Sequence, residues 1–272
     1  MPWTSSHLKW LIDTGNRIKT VDGKIVEVWE FRYQNDVTVL SAWAKHFRNH
    51  YCSDSEIDEL RKGTGLDRAD YLMDLIFPDC NEPPGPSIRS GDFAEILIAD
   101  FLTYSLNYWV PRFRYDEKSI RNESTKGVDI IGFRFISKDE SPDDILAIYE
   151  AKAKLTGKPI GNRLQDAVDD SAKDFNVRKA LSLNALKRRL IRSGNHPDAL
   201  KVQRFQNKAD HPYHEISGAA VVFSSSTVDE NVLSVTNTSK HPNINELHLL
   251  VIKGNELMTL VHELYRRAAN EA

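Results

Sequence analysis

The amino-acid sequence predicts an α/β fold in which helices flank a central mixed β-sheet. Helical and β-rich segments alternate along the chain, which is the element order of such layered folds. The segment 145–151 is apolar on both faces almost to its end, so we expect it at the centre of the sheet. With 40% hydrophobic and 28% charged residues, the 272-residue chain has the composition of a globular protein with a sizeable core.

The first third of the chain is predicted to form an N-terminal α/β extension. The segment 81–86, rich in Pro and Gly, is the clearest break in the sequence, so we place the extension over 1–85, where it could dock a partner. Alternating apolar residues predict strands, and apolar residues at helical spacing predict helices. The predicted elements of the extension are a strand over 24–33 and helices over 37–51, 53–60 and 67–77.

The main domain is predicted over 86–272. Its helices carry apolar residues at helical spacing, and its strands are short apolar runs bounded by polar turns. The predicted elements of this domain are helices over 92–108, 162–192 and 256–269 and strands over 109–115, 127–135, 145–152, 219–223 and 247–252.

Two features of the composition indicate the compartment. No apolar run approaches the roughly 18–20 residues that a membrane span requires, and the first residues lack the basic start and apolar core of a signal peptide. Two cysteines, Cys52 and Cys80, cannot form a disulfide framework or a four-thiolate zinc site. We therefore expect a cytoplasmic protein with no membrane association.

Two of the predicted strands carry charged residues where burial makes charge unfavourable. Asp129 opens the strand over 127–135, and Glu150 and Lys152 close the strand over 145–152. Burying an ionised carboxylate costs several kcal/mol unless a partner or a metal compensates it. Residues two apart on a strand share a face, so Glu150 and Lys152 point the same way, and a hairpin-like connection would bring Asp129 beside them.

These residue types predict a metal-dependent nuclease. Asp129, Glu150 and the backbone carbonyl of Ala151 offer hard oxygen ligands, which select Mg²⁺ or Mn²⁺ rather than zinc. Beside a phosphodiester, such a cation polarises the scissile phosphate and activates water. We expect Lys152 to orient that water or to stabilise the charge that develops on the phosphate.

The same residues carry a resemblance to a known nuclease family. Asp129 followed by Glu-Ala-Lys at 150–152 resembles the PD-(D/E)xK nucleases, although Val128 stands where the proline of the motif would be. The resemblance implies a restriction-endonuclease-like core and adds Glu95 to the catalytic residues, because many members supply an acidic residue from the preceding helix. A structural alternative is that Asp92 caps this helix and Glu95 is its capping-box partner.

More narrowly, the chain is similar to the HamA subunits of the Hachiman anti-phage system. The resemblance runs through Gly-Asp-Phe-Ala-Glu at 91–95, Gly-Val-Asp-Ile-Ile-Gly-Phe at 127–133 and Tyr-Glu-Ala-Lys at 149–152. It implies a DNA-degrading effector without strong sequence specificity, controlled by a helicase partner resembling HamB. Two alternatives stay open: a stand-alone restriction or repair nuclease of the same fold, and a catalytically silent regulatory or binding subunit.

A basic stretch over 171–208 stands out against the net charge of −3. Only Asp174 and Asp198 oppose its lysines and arginines, so it is a candidate surface for DNA phosphates, or else a solvated helix face. The residues predicted to bind DNA are Lys179, Lys187, Arg188, Arg189 and Arg192. His46 and His50, four residues apart on a predicted helix, have a zinc-binding spacing, but without a third ligand we expect packing or surface roles.

Overall fold

A computed structural model describes residues 3–112, 114–116, 118–124, 126–158 and 161–272. A six-stranded mixed sheet lies at its centre, in the order β1-β2-β6-β5-β4-β3. The inner strands β2, β6, β5 and β4 run parallel, while β1 and β3 pair antiparallel at the two edges. This architecture confirms the predicted α/β fold. The strands are β1 (Leu11–Lys19), β2 (Ile25–Phe31), β3 (Ile130–Arg134), β4 (Ile145–Lys154), β5 (His214–Ser224) and β6 (Leu247–Gly254).

Helices cover both faces of the sheet. The described residues form α1 (Val37–Tyr51), α2 (Ile57–Leu60), α3 (Arg68–Tyr71), α4 (Gly85–Asp100), α5 (Arg163–Lys173), α6 (Lys179–Arg192), α7 (His196–Gln203), α8 (Glu230–Ser234) and α9 (Leu257–Asn270). Short π-helical turns follow α3 and α4, and a third, Asp174–Arg178, joins α5 to α6.

Side-chain alternation along β4 divides the core into two layers. Ala147 and Tyr149 face the layer that contains α1, α4 and α9, whereas Leu146 and Ile148 face the helices α6 and α7. Successive strand residues point to opposite faces, so Glu150 and Lys152 share the face of Leu146 and Ile148. The alternation therefore fixes the side of the sheet on which the charged residues lie.

The first 85 residues contribute to the same sheet as the rest of the chain. Strand β2 pairs in parallel with β6, with Val28 opposite Val251. Helix α1 packs against α9, and Trp43 and Phe47 of α1 share a buried cluster with Tyr265 of α9. The segments before and after residue 85 thus share one hydrophobic core.

Two sequence expectations are wrong. Helix α4 begins at Gly85, with Pro86 in its first turn, so Asp92 lies inside the helix and cannot be its N-cap. The capping-box explanation of Glu95 therefore fails. The predicted strand over 109–115 is reduced, in the described residues, to one bridge between Trp109 and Phe133, because Pro111 has no N–H for a ladder.

Candidate active site

The ends of β3 and β4 bring the predicted catalytic residues together. The Asp129 carboxylate, just before β3, accepts the backbone N–H of Ala151 in β4 at 3.0 Å (Oδ2). The N–H and C=O of a strand residue point to the same neighbour, so the Ala151 carbonyl faces the Asp129 side. Glu150 and Lys152 flank Ala151 and point to one face of the sheet.

A groove of about 1030 Å³ opens above these residues. A smaller cavity of about 390 Å³ adjoins it and shares Arg114, Lys126 and Asp129 with it. Among the described residues, six basic and four acidic side chains line the groove, an arrangement suited to a metal and a phosphate. Its charged lining comprises Glu95, Arg114, Lys126, Asp129, Glu150, Lys152, Lys154, Arg163, Asp170 and Arg178.

Glu95 reaches this groove from the middle of α4. Its Oε2 atom accepts a hydrogen bond from the Tyr115 hydroxyl at 2.7 Å and lies 2.8 Å from Nε of Arg114. The same guanidinium donates to Oδ1 of Asp129 at 2.7 Å, so Arg114 joins the two carboxylates. Burial, reinforced by the charge of Asp129, raises the pKa of Glu95 to about 8.

Glu150 is buried at the floor of the groove with one oxygen unpaired. Its Oε1 atom accepts a hydrogen bond from Nζ of Lys152 at 2.6 Å. Within the described residues, Oε2 has no hydrogen-bond donor, and it lies on a side chain that is 5% exposed. Burial and the nearby charge of Asp129 raise the pKa of Glu150 to about 9.

Lys152 is held between two carboxylates. Its Nζ atom lies 2.6 Å from Glu150 and 2.6 Å from Oδ2 of Asp170 on α5. Burial lowers the pKa of Lys152, but the hydrogen bonds to Asp170 and Glu150 outweigh burial and leave the pKa above its usual value. Lys152 is therefore an ammonium ion near neutral pH, able to donate hydrogen bonds but not to accept a proton.

The donor set fits a hard divalent cation. Asp129, Glu150 and the Ala151 carbonyl provide oxygen atoms only, and Oε2 of Glu150 is a buried acceptor in need of a positive partner. Both oxygens of Asp129 already accept a hydrogen bond, but a carboxylate has about four lone-pair positions. The residues that the sequence predicts as metal ligands are thus chemically suited to Mg²⁺ or Mn²⁺.

The residues predicted to bind DNA lie beside the groove rather than in it. Arg189 on α6 lines the smaller cavity, and Arg188 and Arg192 are exposed on the same helix. Lys179 is paired with Glu215 at 2.6 Å, and Lys187 donates to two glutamines of the α7 region. Arg189 is likewise paired with Asp116 at 2.6 Å, so Lys179 and Arg189 are weaker candidates for a phosphate contact than the exposed Arg188 and Arg192.

Several site residues were missed in the sequence. Arg114 lies in an irregular segment, and the cations Lys126, Lys154 and Arg163 are scattered singly, so no motif marks them. Asp170 and Asp174 lie four residues apart at the end of α5, a spacing that places both on one helix face. That spacing, on the helix after β4, is the one signal that could have found them.

His46 and His50 are buried, as a packing role requires, together with Asp100. The Nε2 atom of His46 lies 3.1 Å from both Asp100 oxygens and 3.2 Å from Nε2 of His50. Within the described residues these three form a group with metal-ligand spacing. Asp100 already accepts a hydrogen bond from Arg112 at 2.9 Å and pairs with His7 at 3.0 Å. The cluster is therefore a buried polar network that links the helical turn Ser6–Trp10, which contains His7, to α1 and α4.

Comparisons with known proteins place the chain in a family. In the part of the chain that the structure describes, no helix combines the length and apolar character needed to cross a membrane. None of the curated proteins matches the sequence. The HamA family model, in contrast, matches residues 5–268 of the 272. The match extends over both the first 85 residues and the groove, and the chain therefore belongs to the HamA family.

Proposed function

We propose that this protein is a metal-dependent DNA nuclease that acts as an effector in anti-phage defence. Its membership of the HamA family indicates the defence role. The observation that carries the nuclease proposal is the convergence of Asp129, Glu150 and Lys152 at the floor of one charged groove. Two carboxylates and an ammonium ion around an open space are the groups that phosphodiester hydrolysis requires.

Each residue has a distinct role in this proposal. Asp129, Glu150 and the Ala151 carbonyl would hold Mg²⁺ or Mn²⁺, which when bound supplies Lewis-acid stabilisation of the phosphate. Lys152 donates hydrogen bonds to the attacking water or to the charged phosphate oxygens. Glu95 acts through Arg114, whose guanidinium it holds against Asp129. Glu95 is in this respect a positioning residue.

DNA is the proposed substrate because cations surround the acidic floor. Lys126, Lys154 and Arg163 line the groove, and Arg188 and Arg192 are exposed on the neighbouring helix. These side chains contact phosphates rather than base edges, so we expect cleavage without strong sequence preference and binding that weakens steeply with salt. The resemblance to Hachiman subunits further supports control by a helicase partner like HamB.

A catalytically silent subunit is the second candidate, and one observation favours it. Asp129 accepts hydrogen bonds from Arg114 and from the Ala151 N–H. Lys152 donates hydrogen bonds to Asp170 and Glu150. The charged groups of the site therefore bind one another without a substrate. A resting, partner-restrained nuclease would have the same arrangement. The two are separated by activity in the presence of the partner.

The decisive assay compares wild type with Glu150→Gln and Lys152→Ala on labelled duplex and single-stranded DNA. Reactions contain Mg²⁺, Mn²⁺ or EDTA, with and without a helicase encoded beside the gene. We expect metal-dependent cleavage by wild type and a loss of about 100-fold or more in each variant. Glu59→Gln and Lys62→Ala, which alter an exposed ion pair outside the groove, serve as matched controls.

Cleavage that persists in both site variants would reject the assignment of the site. If wild type is inactive with every metal and with the helicase, the silent subunit is the correct description.

A further inference from the structure

A further carboxylate lies beneath the groove at the start of the π-helical turn between α5 and α6. The Asp174 side chain is completely buried, and its Oδ1 atom accepts a hydrogen bond from Arg178 at 3.1 Å. Its Oδ2 atom has no donor among the described residues, and neither has Oε2 of Glu150. The carboxyl groups of Asp174 and Glu150 lie within hydrogen-bonding reach of each other.

Two carboxylates in contact need something positive between them. An ionised carboxylate only accepts hydrogen bonds, and a buried acceptor without a donor is destabilising by about 1–3 kcal/mol or more. The nearest cations do not meet this need, since Lys152 binds Oε1 of Glu150 and Arg178 binds Oδ1 of Asp174. A shared proton, a water molecule that donates to both carboxylates, or a metal ion could each satisfy Oε2 of Glu150 and Oδ2 of Asp174.

We propose that Asp174 is a third carboxylate ligand for the divalent cation, bound together with Glu150. The inference rests on the proposed function, because it assumes that Glu150 binds metal. The π-helical turn supports it: such turns insert one residue into a helix and often occur at functional sites, and this one begins at Asp174. Asp170, one turn earlier, accepts a hydrogen bond from Lys152 instead. Of the two aspartates on this face, one therefore contacts the lysine and the other contacts Glu150.

The test measures Mn²⁺ binding to the full-length protein by electron paramagnetic resonance. Asp174→Asn replaces one oxygen by an amide that donates a hydrogen bond to Glu150, so it imitates the shared-proton state and should fold. We expect its Mn²⁺ affinity to fall about tenfold or more, with unfolding in EDTA no easier than in wild type. Asp169→Asn, which changes an exposed aspartate of α5, should bind Mn²⁺ within about twofold of wild type.

A second variant tests metal contact directly. Asp174→Cys should weaken Mn²⁺ binding and strengthen Cd²⁺ binding relative to wild type, because a thiolate prefers soft cations. A residue that merely shares a proton with Glu150 would not change the metal preference. This variant also gives an answer if Asp174→Asn fails to fold.

Glu150→Gln separates the outcomes. If Glu150→Gln loses Mn²⁺ affinity while both Asp174 variants bind like wild type, Asp174 is not a metal ligand and only the present inference is overturned. If wild type binds no Mn²⁺ and Glu150→Gln changes nothing, the metal site of the proposed function is overturned as well.

Discussion

At the scale of single residues, Arg114 offsets the negative charges of Glu95 and Asp129. It contacts Glu95 through one nitrogen and Asp129 through another, which a planar guanidinium can do and a lysine cannot. Burial alone would lower the pKa of Arg114. The charges of Glu95 and Asp129 outweigh burial and raise this pKa above its usual value. Without this cation, Asp129 and Glu95 would keep the hydrogen bonds from the Ala151 N–H and the Tyr115 hydroxyl but would lose the positive charge that offsets their mutual repulsion.

The raised pKa values of Glu95 and Glu150 predict how stability depends on pH. Their folded-state values, about 8 and about 9, exceed the ordinary 4.5, so the folded protein binds more protons than the unfolded chain. Their contribution to stability is therefore complete below pH 4.5 and is lost as pH rises through 8 to 9. If Glu150 binds a divalent cation, as proposed, the cation would replace the proton of this carboxyl group, so we expect Mg²⁺ to raise Tm more at pH 9 than at pH 6.

Thermal unfolding at pH 6, 7.5 and 9, with EDTA or Mg²⁺, checks this expectation. Glu150→Gln is the matched variant, because an amide has no charge to lose, and it should flatten the pH dependence. A Mg²⁺ effect on Tm that is the same at all three pH values contradicts the prediction.

At the scale of elements, the packing of β4 against β5 positions the site. Gly218 of β5 lies opposite Tyr149, whose ring covers it, and Glu150 is the next residue of β4. A Cβ at position 218 would overlap the Tyr149 ring, so the ring or the strand would have to move. The glycine thus allows β4 and β5 to approach each other beside Glu150.

Gly218→Ala should destabilise the protein by about 1–3 kcal/mol, because overpacking forces the Tyr149 ring from its position. Gly91→Ala is the matched control: this glycine lies in α4 with open space around it, so alanine should be neutral or stabilising by about 0.5–1 kcal/mol. Urea unfolding of the two variants measures the difference. Equal stability of the two would show that the Tyr149 ring yields without cost.

The elements that carry strong periodicity could be predicted from the sequence. Helix α1 begins and ends at the predicted residues, because its apolar positions repeat at helical spacing and Asp36 caps it. Strand β1 was missed because a bulge between Asp13 and Arg17 breaks its alternation. Helix α4 begins earlier than predicted, because its first turn contains Gly and Pro, which rarely mark a helix interior.

The same distinction holds for the site. Asp129, Glu150 and Lys152 could be identified because charge at the end of an apolar strand is costly and therefore conspicuous. Arg114 could not, since its role depends on contacts with Glu95 and Asp129, which lie in segments that are distant in sequence. A local sequence pattern cannot show which of the many charged residues become buried in the folded protein.

At the scale of the whole molecule, the central sheet includes strands from both sides of residue 85. Strand β2 covers the edge of β6, and the apolar side chains Val26 and Val28 pack with Leu249 and Val251. Removing the first 85 residues would expose the edge of β6 and uncover the apolar surface of α9. Both are features that promote aggregation.

We therefore expect a fragment of residues 86–272 to be insoluble or only partly folded. Size-exclusion chromatography and circular dichroism of this fragment, beside the full chain, measure the effect. Adding residues 1–85 as a separate chain should restore some soluble complex, since the two pieces share one core. A monomeric fragment that unfolds cooperatively would instead show that the second part is independent.

The two hydrogen bonds that hold Lys152 affect which anions the unliganded protein can bind. Glu150 and Asp170 already accept hydrogen bonds from this ammonium ion, so an incoming anion must offer more than the pair that it displaces. Chloride or a lone acetate does not; a polymer that brings many negative groups at once does. If the proposed function is correct, the unliganded site would stay free of abundant small anions and would be filled by a DNA strand, which carries a phosphate on every nucleotide.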